Sequence, residues 1–574
     1  MRIVFIFLLL FLSKAGAEAY HLEIFSLDES NKPKKLPDYK KNPRDSFEAV
    51  RIIKQMITTL HEESYISAHI DTILFAKDSA MAYIFTGEKF NWVTLRKGNI
   101  DGYLLDRSGF RERFYRNKPF RYKEYNKLEK TFIQLSENNG FPFASIRLDS
   151  LELTQRGISA TLDYQKGPFF TFDSITISGK TKTKKRYLMR HIRIYKGQTY
   201  SQQRVDDVTK FMKELSFLTQ TRPPQIIFAK NKASLTLFLT DKKVNQIDGI
   251  VGFLPGSGAN KKLLVTGQID LALRNLFGTG KGVTIAWKKI NAGSQTLDLN
   301  YIHPKLLGSN IDTRFDFNLL KQDSSFVTVL RKLTLSQRAG TYSKVSIITG
   351  LQTSHTIGTP SYSSSIRLSN YNYYTYGLAY DRNNLDNLYY PRRGWLFSIQ
   401  GYLGNKTIHP DPNFDPSYYA GVKLKSVQFN LDGLAEKYTK LGKNSVFLVR
   451  LSGGNIFNNK NNLFFNDLYR IGGLKTLRGF NQNNFYASMY SVATLEYRYF
   501  TDETSYLLLF YDQGYVVNEL SAGMKVDLPL GFGAGVSFTT PAGVFNFVYA
   551  LGNSNDQKIS LNLSKISFGI TSRF

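Results

Sequence analysis

Beyond Lys243 the chain alternates apolar and polar residues over short segments, which is the period of β-strands. The clearest segment places Ile311, Phe315, Phe317 and Leu319 on one face and Asp312, Arg314, Asp316 and Asn318 on the other. The apolar face would meet lipid in a transmembrane barrel or a core in a soluble sandwich, and periodicity alone does not separate the two. At roughly ten residues per strand plus turns, this part of the chain predicts an antiparallel β-barrel of about 16 strands.

The N-terminal third repeats a different pattern three times: strand, helix, helix, strand, strand. The third copy is the clearest, with a strand pattern from Phe170 to Ser178, a helical pattern from Lys184 to Ile194 and a second helix after Ser201. Repeats of roughly 75 residues predict a string of small α/β domains rather than one core. Their exposed strand edges would suit the binding of an extended polypeptide, and the alternative is a rigid spacer that binds nothing.

The N-terminus predicts export. Arg2 precedes the short apolar run Ile3 to Leu12, and small residues then place a signal-peptide cleavage site after Ala17 or after Ala19. An exported chain whose last strand ends in the aromatic Phe574 favours the barrel over the sandwich. We therefore divide the chain into a signal peptide (1–17), three α/β repeats (20–89, 90–168 and 169–243) and a transmembrane barrel (244–574).

Composition agrees with an outer-membrane barrel. The chain has 35 Tyr, 43 Phe and 43 Gly, a content typical of such barrels. It has no Cys, so no disulfide framework is expected. It contains no run of 18 apolar residues, so no transmembrane helix is expected. The net charge of +29 suits anionic lipid headgroups or keeps the chain soluble, and no nucleic-acid partner is expected outside the cytoplasm. Hydrolase, zinc-protease and P-loop motifs are missing and the seven His are scattered, so we predict no catalytic residue, metal or cofactor.

A turn-rich segment carries one cation, Arg478, whose surroundings predict a buried ion pair. The segment also contains Gly472, Gly473, Gly479 and Phe480. Downstream, Glu496 lies within an alternating strand, and another strand ends in Phe510, Asp512 and Gly514. An arginine inside a barrel needs carboxylate partners, because leaving it unpaired costs several kcal/mol. We interpret these residues as one lock in the lumen; on charge types alone they would be unrelated surface charges.

These motifs resemble a known family. Ser174 to Gly179, Gly197 to Tyr200 and Lys166 to Pro168 resemble POTRA (polypeptide-transport-associated) domains. Leu477-Arg478-Gly479-Phe480 resembles the sixth-loop signature of the BamA/TamA superfamily of outer-membrane assembly proteins, although Leu477 replaces the more usual Val. Phe510-x-Asp512-x-Gly514 resembles the strand motif that meets this loop, and Glu496 occupies the position of a second carboxylate. Three units resemble TamA more than BamA, which usually carries five, although the first unit matches poorly.

The resemblance implies an outer-membrane factor with periplasmic POTRA domains that receives unfolded outer-membrane or secreted proteins, autotransporters among them, and inserts or secretes them. Its partners would be those proteins, outer-membrane lipid and a TamB-like protein anchored in the inner membrane. The resemblance also implies a weak seam between the first strand, near 245–254, and the last, near 566–574. We assign to this seam Gly249, Gly252, Phe568, Ile570 and Phe574, since glycines reduce side-chain packing. Arg478 would pin the loop rather than catalyse.

Two other classes of protein remain as alternatives. A two-partner secretion transporter exports one cognate protein, usually with two POTRA units and a plug helix; three units, and no clear amphipathic plug before Asp45, argue against it. A passive porin or receptor barrel would not need the repeats.

Overall fold

The computed structural model describes residues 20–28, 36–154, 157–254, 264–289, 293–323, 325–357, 367–412, 414–520, 523–540 and 543–573; for 249–254, 264–267 and 570–573 it describes the backbone. The predicted signal peptide and Phe574 lie outside these residues. The chain divides into two compact units. The first comprises the chain up to Asp173 together with residues 196–203 and 228–233. The second comprises the rest of the third repeat and all later residues. Within the described ranges, no helix is long and apolar enough to cross a bilayer.

The described part of the first repeat contains one helix where the sequence predicted two. Its elements are β1 (His21–Ser26), α1 (Ser46–Glu62), β2 (His69–Phe75) and β3 (Ser79–Phe85), with β3 central in the sheet. The helix runs unbroken because Ala49, Ile53, Met56 and Leu60 recur at helical spacing and are all buried. The Asp45 side chain caps its start by accepting the Glu48 N–H at 2.7 Å.

The second repeat has both predicted helices. Its elements are β4 (Asn91–Arg96), α2 (Gly102–Ser108), β5 (Lys118–Pro119), α3 (Tyr122–Asn138), β6 (Ser145–Thr154) and β7 (Gly157–Gln165). The sheet order is β5-β4-β7-β6, and the helices cover a core that contains Trp92, Phe132 and Leu162. The sequence Asn138-Asn139-Gly140 predicts the end of the second helix, and α3 ends at Asn138 because Gly140 adopts a φ of +96°.

The third repeat contains β8 (Thr171–Ser178), α4 (Lys185–Ile192), α5 (Gln202–Lys213), β9 (Leu218–Ala229) and β10 (Lys232–Asp241). The sheet order β8-β10-β9 leaves β9 at an edge. The sequence pattern predicts that the first strand of the closing pair begins at Ile226, whereas β9 begins at Leu218. Pro223 and Pro224 are tolerated within it because an edge strand has one side on which no N–H is needed.

The remaining strands form a closed antiparallel barrel plus one separate hairpin. They are β11 (Gln246–Leu254), β12 (Leu264–Leu276), β13 (Lys281–Lys289), β14 (Gln295–His303), β15 (Ile311–Gln322), β16 (Phe326–Arg338), β17 (Ser343–Thr356), β18 (Asn370–Asn383), β19 (Gly394–His409), β20 (Lys425–Lys440), β21 (Ser445–Phe457), β22 (Tyr469–Ile471), β23 (Phe485–Ala487), β24 (Met489–Phe500), β25 (Tyr506–Leu520), β26 (Gly523–Asp527), β27 (Leu530–Thr540), β28 (Gly543–Asn553) and β29 (Lys565–Arg573). Strands β22 and β23 pair with each other to form the hairpin and are not part of the barrel wall.

The wall agrees with the predicted strand number. Strands β26 and β27 both pair with β25, at Val516–Leu520 and at Tyr506–Gln513 respectively, so together they occupy one position of the wall. Counted in this way, the described strands fill about 16 positions, as the length of the barrel region predicted. The sequence prediction of POTRA-like repeats followed by a barrel is confirmed.

The alternation of residues gives the wall an apolar outside and a polar inside. On β24, Leu495, Tyr497 and Tyr499 are exposed on the outer face, whereas the intervening Glu496 is buried. The chain enters the barrel at Gln246, so the connections that follow β12, β14 and β16 lie at the POTRA end. The connection between β21 and β24 lies at the opposite end.

The first and last strands are joined by a short seam. Strands β11 and β29 pair at Gln246–Arg573 and Ile247–Ser572, whereas β18 and β19 pair without a break over the whole length of β18. From Gly249 to Leu254 the described partner of β11 is β12 alone. Since unpaired backbone groups are costly in lipid, this stretch of the wall is held less firmly than the rest.

We therefore expect amide protons of β11 and β29 to exchange roughly tenfold or more faster than those of β18 and β19, because fewer ladder hydrogen bonds must open. Hydrogen exchange with mass spectrometry on the reconstituted protein measures this. Equal protection of the seam and of β18–β19 would contradict a weak closure.

A buried histidine lies where the third repeat packs on the barrel within the second unit. The His191 Nε2 lies 2.8 Å from the Phe211 carbonyl oxygen, and Glu214 forms an ion pair with Arg338 of β16. Burial, and then the Arg338 charge, lower the pKa of His191 to about 3. The neutral ring therefore donates to Phe211, and its 3.7 Å approach to Glu214 is not an ion pair.

This histidine makes the third repeat sensitive to acid. Because the pKa of folded His191 lies below the unfolded value of about 6.5, the unfolded state binds more protons as pH falls, and stability is lost below that value. We expect the opening free energy of α4 and α5, measured by hydrogen exchange, to fall by about 2 kcal/mol between about pH 7 and pH 5. His191→Gln should remove this loss, whereas the exposed control His69→Gln should retain it; an unchanged acid profile in His191→Gln would contradict the assignment.

Candidate functional site: an arginine lock in the barrel lumen

The loop that carries Arg478 is shaped by a hairpin and two glycines. Strands β22 and β23 pair from Tyr469–Ala487 to Ile471–Phe485. Gly472 and Gly473 come directly after β22 and have φ values of +120° and +96°, a region of backbone conformation that strongly favours glycine. The Gly473 N–H then donates to the Leu477 carbonyl oxygen at 3.0 Å, which closes a turn and directs the next residue, Arg478, at the wall.

Arg478 binds both predicted carboxylates. Its Nε and Nη2 donate to the two oxygens of Asp512, each at 2.7 Å, and its Nη1 donates to Glu496 Oε2 at 2.6 Å. Its backbone N–H also donates to Asp512 at 3.1 Å. The guanidinium lies over the Phe510 ring, 3.6 Å from the ring centre. The side chains of Arg478, Glu496 and Asp512 are 11%, 5% and 0% exposed, so the cluster is nearly closed to water.

Two further members of this cluster, Arg498 and Thr494, were not predicted from the sequence. Arg498 Nε donates to the second oxygen of Glu496 at 2.6 Å, and Thr494 Oγ1 donates to Asp512 at 2.8 Å. Two guanidinium groups thus face two carboxylates, which neutralises the cluster. Strand alternation could have identified both residues, because Thr494, Glu496 and Arg498 share the lumenal face of β24.

An apolar patch holds the same loop against the inside of the wall. Leu477 and Phe480 are buried in a cluster with Val492 and Val516, which lie on the lumenal faces of β24 and β25. The Phe480 ring also meets Phe485 of the hairpin edge-on, with 4.8 Å between ring centres. Apolar burial and ion pairing therefore fix neighbouring residues of one loop.

Glycines let the loop backbone touch the wall. A Cβ on Gly531 would lie 2.0 Å from the Arg478 carbonyl oxygen, and one on Gly552 would lie 2.6 Å from the Gly479 carbonyl oxygen. Gly479 itself has a φ of +91°, and a Cβ there would lie 2.5 Å from the Leu551 oxygen. Gly514 leaves room for Pro529, whose ring carbon would lie 2.9 Å from a Cβ. Gly531 and Gly552 were not predicted from the sequence.

A second anchor, also missed, lies at the base of the loop. Lys406, on the lumenal face of β19, forms an ion pair with Asp467 and donates to the Asn462 carbonyl oxygen at 2.8 Å, and both charged side chains are buried. Asp467 also accepts the Phe464 N–H at 2.8 Å. Nearby, the Asn466 side chain donates to Ser354 at 2.7 Å. The loop is thus held on two regions of the wall.

The described residues assigned to the seam lie on β11 and β29, not on the strands that carry the lock. Gly249 and Gly252 pair with Ile269 and Thr266 of β12, not with β29. Phe568 pairs with Phe547 of β28 and is exposed on the outer face, and Ile570 pairs with Phe545. Phe574 lies outside the described residues. The described β11–β29 contact falls instead at Gln246 and Ile247.

The arrangement positions the loop. The ion pairs of Arg478 and Lys406 join the loop to the wall, and the buried charges satisfy one another. Removing one partner of a buried ion pair typically costs 3–5 kcal/mol, because the other charge remains buried. The geometry therefore holds the loop inside the lumen.

Comparison with known proteins now identifies the family. A profile described as the Omp85 superfamily domain matches residues 275–574, just over half of the chain. The chain belongs to the Omp85 superfamily. A profile of POTRA type, described as a surface antigen variable number repeat, matches residues 170–247. The protein is accordingly an outer-membrane barrel with periplasmic POTRA repeats.

Two solved structures of CdiB show the same fold at low sequence identity. CdiB from Escherichia coli is 12% identical, with 91% of this chain and 96% of that chain covered and a TM-score of 0.56. CdiB from Acinetobacter baumannii is 13% identical, with 85% and 91% covered and a TM-score of 0.54. BamA from Haemophilus ducreyi lacking POTRA domains 1–3 is 15% identical, with 84% and 100% covered and a TM-score of 0.45. A comparison with curated proteins found no match.

We expect Arg478→Ala to release the loop, since Asp512 and Glu496 lose a buried partner at a cost of roughly 3–5 kcal/mol. Limited proteolysis of the reconstituted protein should then cut between residues 472 and 484, where the wild type resists.

Lys475→Ala is the matched control, because Lys475 lies exposed in the same loop. It should leave the cleavage rate unchanged. An Arg478→Ala protein as resistant as the wild type would show that Arg478 does not hold the loop.

Proposed function

We propose that this Omp85 protein receives unfolded outer-membrane or secreted proteins through its POTRA domains and inserts or secretes them through a barrel that opens between β11 and β29. The observation that carries the proposal is the short seam, paired at Gln246–Arg573 and Ile247–Ser572. An opened seam would expose two strand edges, and an incoming β-strand could pair with them.

The lumenal loop supports a path along the wall rather than through an open pore. Arg478 fixes the loop on β24 and β25, and Lys406 fixes its base on β19. Each anchor uses a buried ion pair, which favours one defined arrangement of the loop. The loop would brace β19, β24 and β25 and limit leakage of small solutes.

The first POTRA domain offers surfaces suited to an extended chain. The order β1-β3-β2 leaves β1 and β2 as sheet edges. Exposed apolar residues accompany them: Phe25, Phe47, Leu74 and Phe75, of which Phe47 is 86% exposed. Edge pairing gives affinity without sequence preference, and apolar side chains add contacts to unfolded substrates.

The finer assignment follows the sequence resemblance. Three POTRA-like repeats favour a TamA-like role that includes autotransporter assembly, with a TamB-like inner-membrane-anchored partner at the first repeat. Copurification of such a partner with the full chain, and its loss when residues 20–89 are removed, would test this assignment. Retention of the partner by the shortened chain would place its docking site elsewhere.

A disulfide across the seam tests the function directly. The chain has no Cys, and Ile247 and Ser572 are register partners, so Ile247→Cys with Ser572→Cys would form one defined crosslink. We expect the oxidised barrel to insert a urea-unfolded eight-stranded outer-membrane protein into vesicles at most one tenth as fast as the reduced barrel.

Leu299→Cys with Phe317→Cys, across the continuous β14–β15 pair, is the matched control and should be insensitive to oxidation. Full insertion activity of the seam-crosslinked barrel would contradict lateral opening. If that barrel still exported one cognate protein, the alternative function, a two-partner secretion transporter, would replace the proposal.

A further inference from the structure

A basic pocket lies where the third POTRA domain meets two turns of the barrel, within the second unit. The pocket has a volume of about 380 Å³ and is lined by α4, by the turn between β13 and β12, and by the turn between β14 and β15. Its basic lining residues are Lys184, Arg186, Arg190, Lys281, His303 and Lys305, and no Asp or Glu lines it. Such a concentration of like charge in a concave site favours an anionic ligand.

Close packing fixes the walls of this pocket. A Cβ on Gly280 would lie 2.2 Å from the Tyr187 ring, and one on Gly308 would lie 2.6 Å from Arg190 Nη2. The Lys184 N–H donates to the Gly278 carbonyl oxygen at 2.8 Å. Helix α4 is therefore pressed against both turns, and the guanidinium of Arg190 is held at the pocket wall.

Four of the basic side chains are available for a ligand. Lys305 is neutralised by Asp312, with 3.1 Å between Nζ and Oδ1. Within the described residues, Lys184, Arg186, Arg190 and Lys281 take part in no ion pair. Their repulsion in a shared pocket is unfavourable unless an anion neutralises it.

Part of the pocket lining belongs to the lipid-facing side of the wall. On β13 and β14 the outer face carries the odd-numbered residues, such as Val283, Ile285 and Tyr301, while Asn300 pairs with Asp316 in the lumen. Lys281 and His303 continue the outer face at the POTRA end of these strands. They therefore lie at the level of the periplasmic headgroups, just beyond the apolar band.

Two apolar side chains project from the same turns. Phe277 is 81% exposed and Leu307 is 97% exposed, and both have a positive φ, near +57° and +50°. A large apolar residue in a left-handed conformation at a turn tip is unfavourable in water. Contact with acyl chains beside the headgroup region would make both side chains favourable.

We propose that this pocket binds the phosphate of an anionic phospholipid of the periplasmic leaflet, with Lys184, Arg186, Arg190 and Lys281 around the headgroup and Phe277 and Leu307 against its acyl chains. The bound lipid would fix α4, and with it the last POTRA domain, at the membrane surface. This assignment is independent of the proposed insertion activity.

The test compares full-length proteins in nanodiscs of phosphatidylethanolamine with and without phosphatidylglycerol. After mild detergent extraction, native mass spectrometry counts the phosphatidylglycerol that each protein retains. We expect Lys184→Gln/Arg186→Gln/Arg190→Gln to retain at least about threefold less than the wild type, since phosphate contacts to these cations dominate headgroup affinity. The matched control, Lys123→Gln/Lys127→Gln/Lys130→Gln on the exposed face of α3, should retain as much as the wild type.

Two further measurements test whether the ligand is a lipid rather than free phosphate. The variant Phe277→Asn/Leu307→Asn leaves every charged residue of the pocket unchanged, and Asn tolerates a positive φ. It should lower phosphatidylglycerol retention about twofold. Unchanged retention in either pocket variant, or an equal loss in the α3 control, would overturn the proposal.

Titration of the detergent-solubilised protein with inorganic phosphate should show no saturable binding. Binding that the triple variant abolishes would assign the pocket to free phosphate and overturn the lipid assignment.

Discussion

The pairing of Arg478 with Asp512 and Glu496 is the interaction on which the rest of the barrel depends. A guanidinium that is 11% exposed inside the wall is tolerable only because two carboxylates meet it, one of them through two parallel hydrogen bonds. That requirement fixes the loop, since Arg478 reaches both acids only if Leu477 and Phe480 pack on Val492 and Val516. It also explains the glycines at 531 and 552, where side chains would hold the loop backbone away from the wall.

The barrel is thus braced unevenly. Strands β19, β24 and β25 carry buried ion pairs to the loop, whereas β11 and β29 share the two residue pairs of the seam. Ladder hydrogen bonds in lipid have no water to replace them, so the position of the weakest ladder decides where the wall can open. The loop is fixed on β19, β24 and β25, and the wall is weakly closed between β11 and β29; the proposed lateral opening depends on both features.

Much of this architecture could be predicted from sequence because it follows from period and spacing. The alternation around Phe315 and Phe317 indicated the wall, and the two carboxylates at 496 and 512 indicated partners for Arg478. The second helix expected in the first repeat was a local misreading, since nothing interrupts the apolar stripe from Ala49 to Leu60. Arg498 could have been found from the alternation of β24. Lys406 and Gly531 were missed because their roles depend on which strands and loops meet, a property of the closed barrel rather than of any local pattern.

The most direct test of the account is a double-mutant cycle on Arg478 and Asp512, with the opening free energy of loop residues 472–484 measured by hydrogen exchange. Arg478→Met and Asp512→Leu should each lower that free energy by roughly 3–5 kcal/mol, because each removes one charge from a neutral buried cluster. The double variant buries neither charge, so its loss should fall short of the sum by about 2 kcal/mol or more. Additive losses would contradict the claim that these two side chains neutralise each other in the lumen.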